Sequence, residues 1–504
     1  MSNVTAPTDE SSAQPHTGFI KAITLTDATM LVAGAMIGSG IFIVSADMGR
    51  SVGSPGWLLM AWLLTGVMTC FGALTYGELA AMFPRAGGQY VFLRESFSPL
   101  VGFLYGWTLF AVIQTGTIAA VGVAFGKFLG VLVPRVSPAL FGWFPHTSVC
   151  ASWLGCSDPG SAIAFGLSPQ RLIALVAIAV LTWINLRGVR EGKFVQTSLT
   201  IVKTGVLVLL MGLGLTVGRN SAAIAANFGH GQFWGHVDIT GAWVVAFGAA
   251  FVGSLFSSDA WNNVTFAAAE VKNPQRNLPL ALIMGTGLVT GLYFLTNVSY
   301  LSVLPFHGDP AGATVLARGL THATQDRLGT AAMEQMFGAA GGTMMAVGIL
   351  ISTFGCMNGL ILAGARVYYA MSRDGLFFRA AGNLSTRGVP AVGLVLQSVW
   401  TAVLCLSGTY GQLLNYVIFA NLVFYVLTTA GLFVLRAKKP DAERPYRVVA
   451  YPFVPALYLA MAAGVMILIL MSPHSRTEAV SGLAIVAIGI PVYFLWRAVE
   501  KPTA

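Results

Sequence analysis

Glycine and serine interrupt the first long apolar segment of the sequence, at Gly34-Ala-Met-Ile-Gly-Ser-Gly-Ile-Phe42. Gly34 and Gly38 have the spacing that lets two membrane helices pack closely. The same residues also allow the backbone to unwind, which frees carbonyl groups at the end of one half-helix and N–H groups at the start of the next. Free N–H groups at the positive end of a helix dipole attract a carboxylate, and free carbonyls attract an ammonium group. An unwound segment therefore suits a zwitterion, whereas helix packing alone requires no ligand.

A second apolar segment is interrupted at residues 256–263, Phe-Ser-Ser-Asp-Ala-Trp-Asn-Asn. Asp and Asn side chains are costly in lipid unless they face protein or water, so this segment also favours a broken helix that lines a cavity. The two interruptions lie five apolar segments apart. Breaks at matching positions in two halves are typical of an inverted repeat, here about residues 19–218 and 238–435.

Two single charges lie inside apolar segments. Asp259 has three competing interpretations: it caps the second half of the broken helix, it faces a substrate ammonium or cationic side chain, or it titrates during the cycle; we favour the cap. Lys203 lies about nine residues into its segment, roughly 13 Å deep at 1.5 Å per residue, which makes reaching the membrane surface awkward. Trp261, Asn262 and Asn263 either line the cavity or hold the break together, and we favour the second role for Asn263.

The composition indicates which elements must position these residues. The chain has 504 residues, of which 56% are hydrophobic and 9% charged, against about 25% charged in soluble domains. A membrane-spanning helix needs about 20 mostly apolar residues. Segments of this kind occur near 25–46, 57–82, 98–133, 169–187, 194–218, 240–269, 278–304, 337–371, 390–408, 411–435, 449–471 and 478–497. The sequence thus predicts an all-α integral membrane protein with twelve transmembrane helices.

Three regions follow from this pattern. Residues 1–18 are polar, lack the features of a signal peptide and predict a disordered cytoplasmic tail. Residues 19–435 hold ten segments that form the predicted core. Residues 436–504 hold the last two segments and a short cytoplasmic C-terminus.

Positive charge is distributed unevenly between the two sides of the predicted membrane. The formal net charge is +9. When the loops are assigned alternately, the side of the N-terminus holds 19 of the 28 Lys and Arg residues and the other side holds eight. The positive-inside rule places both termini in the cytoplasm. We interpret the basic loops as topology signals and lipid head-group contacts rather than a nucleic-acid surface.

The sequence lacks the cysteine, histidine and nucleotide-binding motifs that are typical of several other classes of protein. Cys150 and Cys156 share a long outer loop, where they either form a disulfide or remain two free thiols. We predict no metal site and no cofactor, because the cysteines and histidines lack metal-ligand spacing. The sequence has neither a Gly-Lys-Ser/Thr nucleotide loop nor a mid-membrane nucleophile–base pair. Direct use of ATP and an intramembrane enzyme are therefore both disfavoured.

Five stretches carry a resemblance to a known family. They are GAMIGSGIF, YGELAAMFPRAGGQYVFLRESF, AAAEVKNPQRNLPLAL, STFGCMNGLILAGARVYYAMSRDGLF and LRAKKPDAERPYRV. In this order, over roughly residues 20–470, the chain resembles the amino acid–polyamine–organocation superfamily, with details closest to the L-type and bacterial amino acid permeases. The resemblance implies the LeuT-type fold, a five-plus-five inverted repeat in which helices 1 and 6 are discontinuous and hold the substrate.

The resemblance also implies roles for individual residues. The glycine-rich motif would offer backbone N–H groups to the substrate carboxylate, and the serines of the second break would offer carbonyls and hydroxyls to the amino group. The aromatic residue before those serines would act as a gate, with simple packing as the alternative. Asn421 would contribute to the side-chain pocket, with hydrogen bonding between helices as the alternative. The implied substrate-binding residues are Ile37, Gly38, Ser39, Gly40, Phe256, Ser257, Ser258, Asp259 and Asn421.

By the same resemblance, the ammonium of Lys203 would fill the space that a sodium ion occupies in sodium-coupled relatives, with Ser352 and Thr353 among its neighbours. We therefore expect an amino acid permease or exchanger that works by alternating access without sodium. A polyamine antiporter and a proton-coupled symporter remain alternatives, and a channel is disfavoured. Eukaryotic L-type relatives pair with a glycoprotein through an outer-loop cysteine. The two cysteines in the loop of this chain can pair with each other, so we expect no obligatory protein partner.

Overall fold

The computed structural model describes residues 19, 21–149, 163–236, 238–407, 410–473 and 475–499. Cys150 and Cys156 lie outside the described residues. The α-helices are α1 (Leu25–Met36), α2 (Val44–Val52), α3 (Pro55–Met82), α4 (Gln89–Ser96), α5 (Pro99–Thr108), α6 (Gln114–Leu132), α7 (Pro169–Arg187), α8 (Val189–Leu215), α9 (Ser221–Phe228), α10 (Gly241–Ser257), α11 (Asn263–Phe266), α12 (Pro274–Val303), α13 (Val315–Arg318), α14 (Leu328–Arg373), α15 (Ala391–Ser407), α16 (Tyr410–Lys438), α17 (Phe453–Met471) and α18 (Arg476–Val499). A π-helical turn, Leu109–Ile113, joins α5 to α6.

One short hairpin departs from the all-helical prediction. Strands β1 (Thr147–Val149) and β2 (Ile163–Phe165) pair antiparallel, with Thr147 opposite Phe165. The hairpin lies in the loop between α6 and α7, so it lies outside the long apolar helices of the described residues.

Three long helices begin at a Ser-Pro pair. Ser54-Pro55 starts α3, Ser98-Pro99 starts α5 and Ser168-Pro169 starts α7. In each pair the serine hydroxyl accepts a hydrogen bond from the backbone N–H three residues later, and the proline supplies the first helical residue, where no N–H is needed. The sequence therefore fixes the starts of these helices locally.

The length and hydropathy of the helices indicate a multi-pass membrane protein. Within the described residues, nine helical stretches are long and apolar enough to span a bilayer, with the π turn uniting α5 and α6 into one. Three shorter apolar helices, α1, α10 and α15, have 10–17 residues. The first two are short because the chain leaves the helix at the two stretches that the sequence indicates as breaks.

Polar side chains link the helices that surround the breaks. On one side, Ser45 of α2 donates to Asn297 of α12 at 2.6 Å and accepts from the indole of Trp62 at 3.1 Å. On the other, Trp261 packs with its ring centroid 4.8 Å from that of Tyr76. The two breaks are thus buried near the centre of the helical bundle rather than at its surface.

Candidate functional site

The first break separates α1 from α2. Helix α1 ends at Met36, Ile37 is extended with ψ 95°, and a 3-10 turn covers Gly40–Phe42 before α2 begins at Val44. A Cβ added to Gly40 would lie 2.1 Å from the hydroxyl oxygen of Ser257. The second break therefore contacts the first so closely that only glycine fits there. The glycine motif therefore permits both of the alternatives that the sequence predicts, unwinding of the backbone and close packing.

Side chains from three other helices bind the carbonyl groups at the end of α1. The last carbonyls of a helix have no partner within it and need one elsewhere. The donors come from α8, α12 and α14: Lys203 Nζ binds the Gly34 carbonyl, Cys356 Sγ that of Ala35 at 3.2 Å, Tyr293 Oη that of Met36 at 2.9 Å, and Ser352 Oγ those of Ile37 and Gly38 at 3.4 and 3.0 Å. Five successive carbonyls thus have partners within the protein.

Lys203 is fully buried at the centre of this arrangement, with 0% of its surface exposed. No ion pair joins it to a carboxylate within the described part of the chain. Ser352 lies in the same run of bonds, as expected. The hydroxyl of Thr353, in contrast, donates to its own helix, at 2.9 Å from the Ile349 carbonyl oxygen and 3.0 Å from that of Leu350. The structure therefore brings Lys203 and Ser352 to the first break but turns Thr353 toward its own backbone.

The second break lies between α10 and α11. Phe256 and Ser257 form the end of α10, and both are buried. The Ser257 hydroxyl donates to the Gly253 carbonyl at 2.9 Å, so its proton is used within the helix. Ser258 follows as a buried cap residue, and Ala260 has φ 64°, in the left-handed region that non-glycine residues rarely adopt. The small side chain of Ala260 keeps this turn possible.

Asp259 does not cap the helix that follows it, so the favoured cap prediction is wrong. The cap residue of α11 is Asn262, and it makes no side-chain cap bond. Asp259 instead accepts hydrogen bonds from Asn421 at 2.6 Å and from the Tyr425 hydroxyl at 2.5 Å. The left-handed turn at Ala260 lies between the carboxylate and the start of α11. The carboxylate is therefore held against α16.

A buried chain of polar side chains continues from this carboxylate. The Asn262 amide donates to Gln89 at 2.8 Å, and Gln89 donates to Thr428 at 3.0 Å. The Tyr425 hydroxyl lies 3.4 Å from the Asn262 side-chain oxygen. Asn262 therefore holds the break to α4 and α16. The sequence analysis identified neither Tyr425 nor Gln89. Gln89 follows two glycines, Gly87 and Gly88, in one of the five stretches that carry the resemblance.

The cavities around Asp259 are small. One cavity of about 20 Å³ borders Asp259, Asn421 and Tyr425. A second cavity, of about 10 Å³, lies between α5–α6, α11 and α16. A cavity of about 10–15 Å³ on this measure accommodates roughly one water molecule. The structure thus shows a state in which the space beside the second break is closed around at most water.

Charged side chains seal the end of the bundle where α3, α14 and α16 finish. Arg366 forms a two-point ion pair with Glu270 at 2.5 and 3.0 Å, and both side chains are at most 3% exposed. Glu78, fully buried, binds Arg436 at 3.0 and 2.7 Å and the Val448 N–H at 2.8 Å. Both buried acidic residues are therefore ion-paired, and the segment after α16 is tied back to α3.

A more exposed cluster lies on the same side. Arg94 contacts both Asp374 and Glu95, and Lys439 binds Glu95 at 3.3 Å. Partial burial opposes ionisation of Glu95, but hydrogen bonds from Arg94 and Lys439 outweigh it and lower the pKa of the carboxyl. Such exposed pairs contribute little stability, so the buried pairs are the stronger links at this end.

The sequence matches known proteins over nearly the whole chain. Residues 23–494 match the family described as "Amino acid permease". The chain is 31% identical to the serine/threonine exchanger SteT of Bacillus subtilis (strain 168) over 484 residues, which covers 95% of this chain and 97% of that protein. It is 30% identical to the large neutral amino acids transporter small subunit 2 of Mus musculus, over 94% of this chain and 81% of that protein. It is 27% identical to the b(0,+)-type amino acid transporter 1 of Mus musculus, over 95% and 88%.

Proposed function

Because this chain belongs to the amino acid permease family, whose members are transporters and not enzymes, we propose that it exchanges amino acids across a membrane by alternating access and without sodium. The observation that carries the proposal is the pair of buried helix breaks in direct contact, with the Lys203 ammonium bound to the carbonyl end of one of them. A fixed ammonium at that position supplies the positive charge that a bound metal cation would otherwise supply.

The proposed architecture has twelve spans in two inverted repeats of five with two added helices. The first repeat, about residues 19–218, would run from α1 to α8, and the second, about 238–435, from α10 to α16. The first and sixth spans are the ones that break in the structure, at matching places in the two repeats, which supports this assignment. Helices α17 and α18 would be the addition, within 436–504.

In this proposal the substrate lies between the two breaks. Backbone N–H groups at Gly38, Ser39 and Gly40 would bind its carboxylate. The expected contribution of Ile37 is contradicted, because its N–H donates to the Ala33 carbonyl at 2.9 Å. The carbonyls at the end of α1 also have partners in the protein, so the amino group would depend mainly on the second break, at Ser257 and Ser258. Phe256 would close over the substrate, and Asp259 and Asn421 would border the side chain.

We further propose that the protein resides in the cytoplasmic membrane with both termini in the cytoplasm. The excess of Lys and Arg on the side of the N-terminus supports this orientation. The buried ion pairs of Glu270 and Glu78 then lie at the cytoplasmic end, where they would keep the inner gate closed in this state. Cys150 and Cys156 would lie outside the cell, and the transporter would act without an obligatory protein partner.

Counterflow into liposomes that contain the purified protein tests the proposed function. The liposomes are loaded with a mixture of unlabelled amino acids, given no sodium or pH gradient, and offered labelled amino acids, putrescine or agmatine one at a time. Uptake of one or more amino acids is expected. Uptake of the amines alone would replace the proposal with an amine antiporter. If no compound is taken up until a proton gradient is imposed, exchange is refuted in favour of proton coupling.

A further inference from the structure

The smaller cavity beside the second break has an unusually polar lining for the interior of a membrane bundle. It lies where the π turn before α6, the second break and α16 meet, and its volume is about 10 Å³. Its polar lining residues are Tyr105, Gln114, Thr117, Asp259, Asn262, Asn263 and Asn421. Polar side chains inside a membrane protein are costly unless they meet hydrogen-bonding partners, so the state of each donor indicates what the cavity accepts.

Most of these donors already have an acceptor within the protein. Gln114 donates to the Leu360 carbonyl at 2.7 Å, and Thr117 donates to its own helix at 2.6 Å. Asn421 donates to Asp259 at 2.6 Å. These three side chains shape the cavity but do not require a ligand.

Asn263 and Tyr105 differ from the others, because each has a buried donor without a hydrogen-bond partner among the described residues: the Asn263 amide nitrogen and the Tyr105 hydroxyl. The Asn263 side chain is only 3% exposed and that of Tyr105 is fully buried. The sequence favoured a role for Asn263 in holding the break together, but its amide nitrogen holds nothing in the structure. A buried donor without an acceptor is unfavourable and is relieved by any ligand that brings an oxygen to it.

We propose that this cavity, which is about the size of one water molecule, receives the oxygen atom at the end of the substrate's side chain and selects neutral amino acids that carry a side-chain oxygen, a hydroxyl or a carboxamide. The inference rests on the proposed function and names the substrate class of that same site. The Asn263 amide donates to the substrate oxygen, while Asp259, held by Asn421 and Tyr425, is the nearby acceptor for a substrate hydroxyl or amide hydrogen.

The same geometry disfavours other side chains. An aliphatic side chain leaves the Asn263 donor unpaired, and a site built to hydrogen-bond rejects analogues that lack the bond. A cationic side chain carries donors only, so it does not satisfy that amide. An anionic side chain would place a second negative charge beside the Asp259 carboxylate in a medium of low dielectric constant.

Threonine and valine test the inference, because they have nearly the same shape and differ in one hydroxyl. In counterflow with equal amounts of monodisperse protein, we expect threonine to exceed valine in kcat/KM by about 10-fold or more. Asn263→Leu should lower this ratio, and Asn263→Leu combined with Tyr105→Phe should bring the two within about threefold, since lost hydrogen bonds are what separate them. Thr286→Val is the control, because the Thr286 hydroxyl is buried but bonded to its own helix at 2.7 Å. It should leave the ratio unchanged.

Each outcome has a defined meaning. Uptake of valine equal to that of threonine by the wild-type protein would refute the selectivity and leave amino acid exchange standing. Uptake of neither, nor of any other amino acid, would refute the proposed function itself. A preference for lysine or arginine would refute the substrate class. Asn263→Ala, which also removes the donor, should likewise lower the ratio and serves if Asn263→Leu fails to fold. An unchanged ratio in a folded variant would overturn the role of Asn263.

Discussion

Replacement of Lys203 by methionine separates two contributions of the buried ammonium. The Lys203 side chain is fully buried, donates to the Gly34 carbonyl and has no carboxylate partner in the described contacts. Methionine has a similar length and volume but neither the charge nor the donor. Removal of an unpaired buried charge recovers a desolvation penalty of several kcal/mol. Loss of the donor leaves the Gly34 carbonyl unpaired, at about 1–3 kcal/mol.

The two effects have opposite signs, so we expect Lys203→Met to keep or raise the melting temperature in detergent. Transport should nevertheless fall, because the first break loses the group that fixes its carbonyl end. A penalty of about 1–3 kcal/mol on the transport-competent geometry corresponds to a decrease of roughly 5–150-fold in the counterflow rate. The wild-type rate should be the same in sodium and in choline buffers.

Lys127→Met provides the matched control. Lys127 lies near the C-terminal end of α6 and is partly buried, but no described contact joins it to either break. Its replacement should change the rate by no more than about twofold, as expected for a change within roughly 0.5 kcal/mol. A wild-type rate for Lys203→Met at equal amounts of folded protein would refute the role of the ammonium in transport. A fall in rate fully explained by loss of folded protein would show that its role is structural only.

Three further substitutions test other parts of the structure. Arg366→Leu leaves the buried Glu270 carboxylate unpaired and should destabilise the protein by about 3–5 kcal/mol. The loss should be seen as a smaller monodisperse peak in size-exclusion chromatography. The double variant with Glu270→Gln should restore that peak, and its failure to do so would contradict the mechanism. Gly40→Ala should abolish counterflow because its Cβ would overlap the second break. Gly205→Ala should not, because a Cβ at Gly205 would have no atom within 4 Å. Equal activity of the two variants would disprove the close contact. Ala260→Val places a β-branched residue at φ 64° and should lower thermal stability, and an unchanged melting curve would count against the left-handed turn.

Local chemistry explains why the breaks were predictable from the sequence. Glycines, serines and an Asp-Ala-Trp-Asn-Asn run inside apolar segments conflict with a regular helix wherever they occur, so positions 34–42 and 256–263 were evident. The Ser-Pro starts of α3, α5 and α7 are equally local. Lys203 was conspicuous because a charge is rare at that depth.

The partners of these residues were not predictable, because they depend on the rotation of helices far apart in the chain. Asp259 meets Tyr425, which lies 166 residues later, and the one signal for it in the sequence was Asn421, four residues earlier on the same face of α16. The cap interpretation failed for a related reason, since it assumed a regular helix start where Ala260 adopts a left-handed conformation. The two residues Tyr293 and Cys356, which bind the end of α1, looked like ordinary members of apolar helices.

The carbonyl groups at the end of α1 have a consequence for biogenesis. Helix α1 enters the membrane first during synthesis, but the donors that complete its end belong to α8, α12 and α14, which are made later. The first span should therefore be the last to reach its final geometry. In a chain truncated before α12, we expect the end of α1 to fray, so that the amide hydrogen of Ile37, which is bonded to the Ala33 carbonyl, exchanges faster than in the full chain. The nine-residue motif interrupts a helix but does not supply the partners of the freed carbonyls, so its transfer to another membrane helix would not reproduce this geometry.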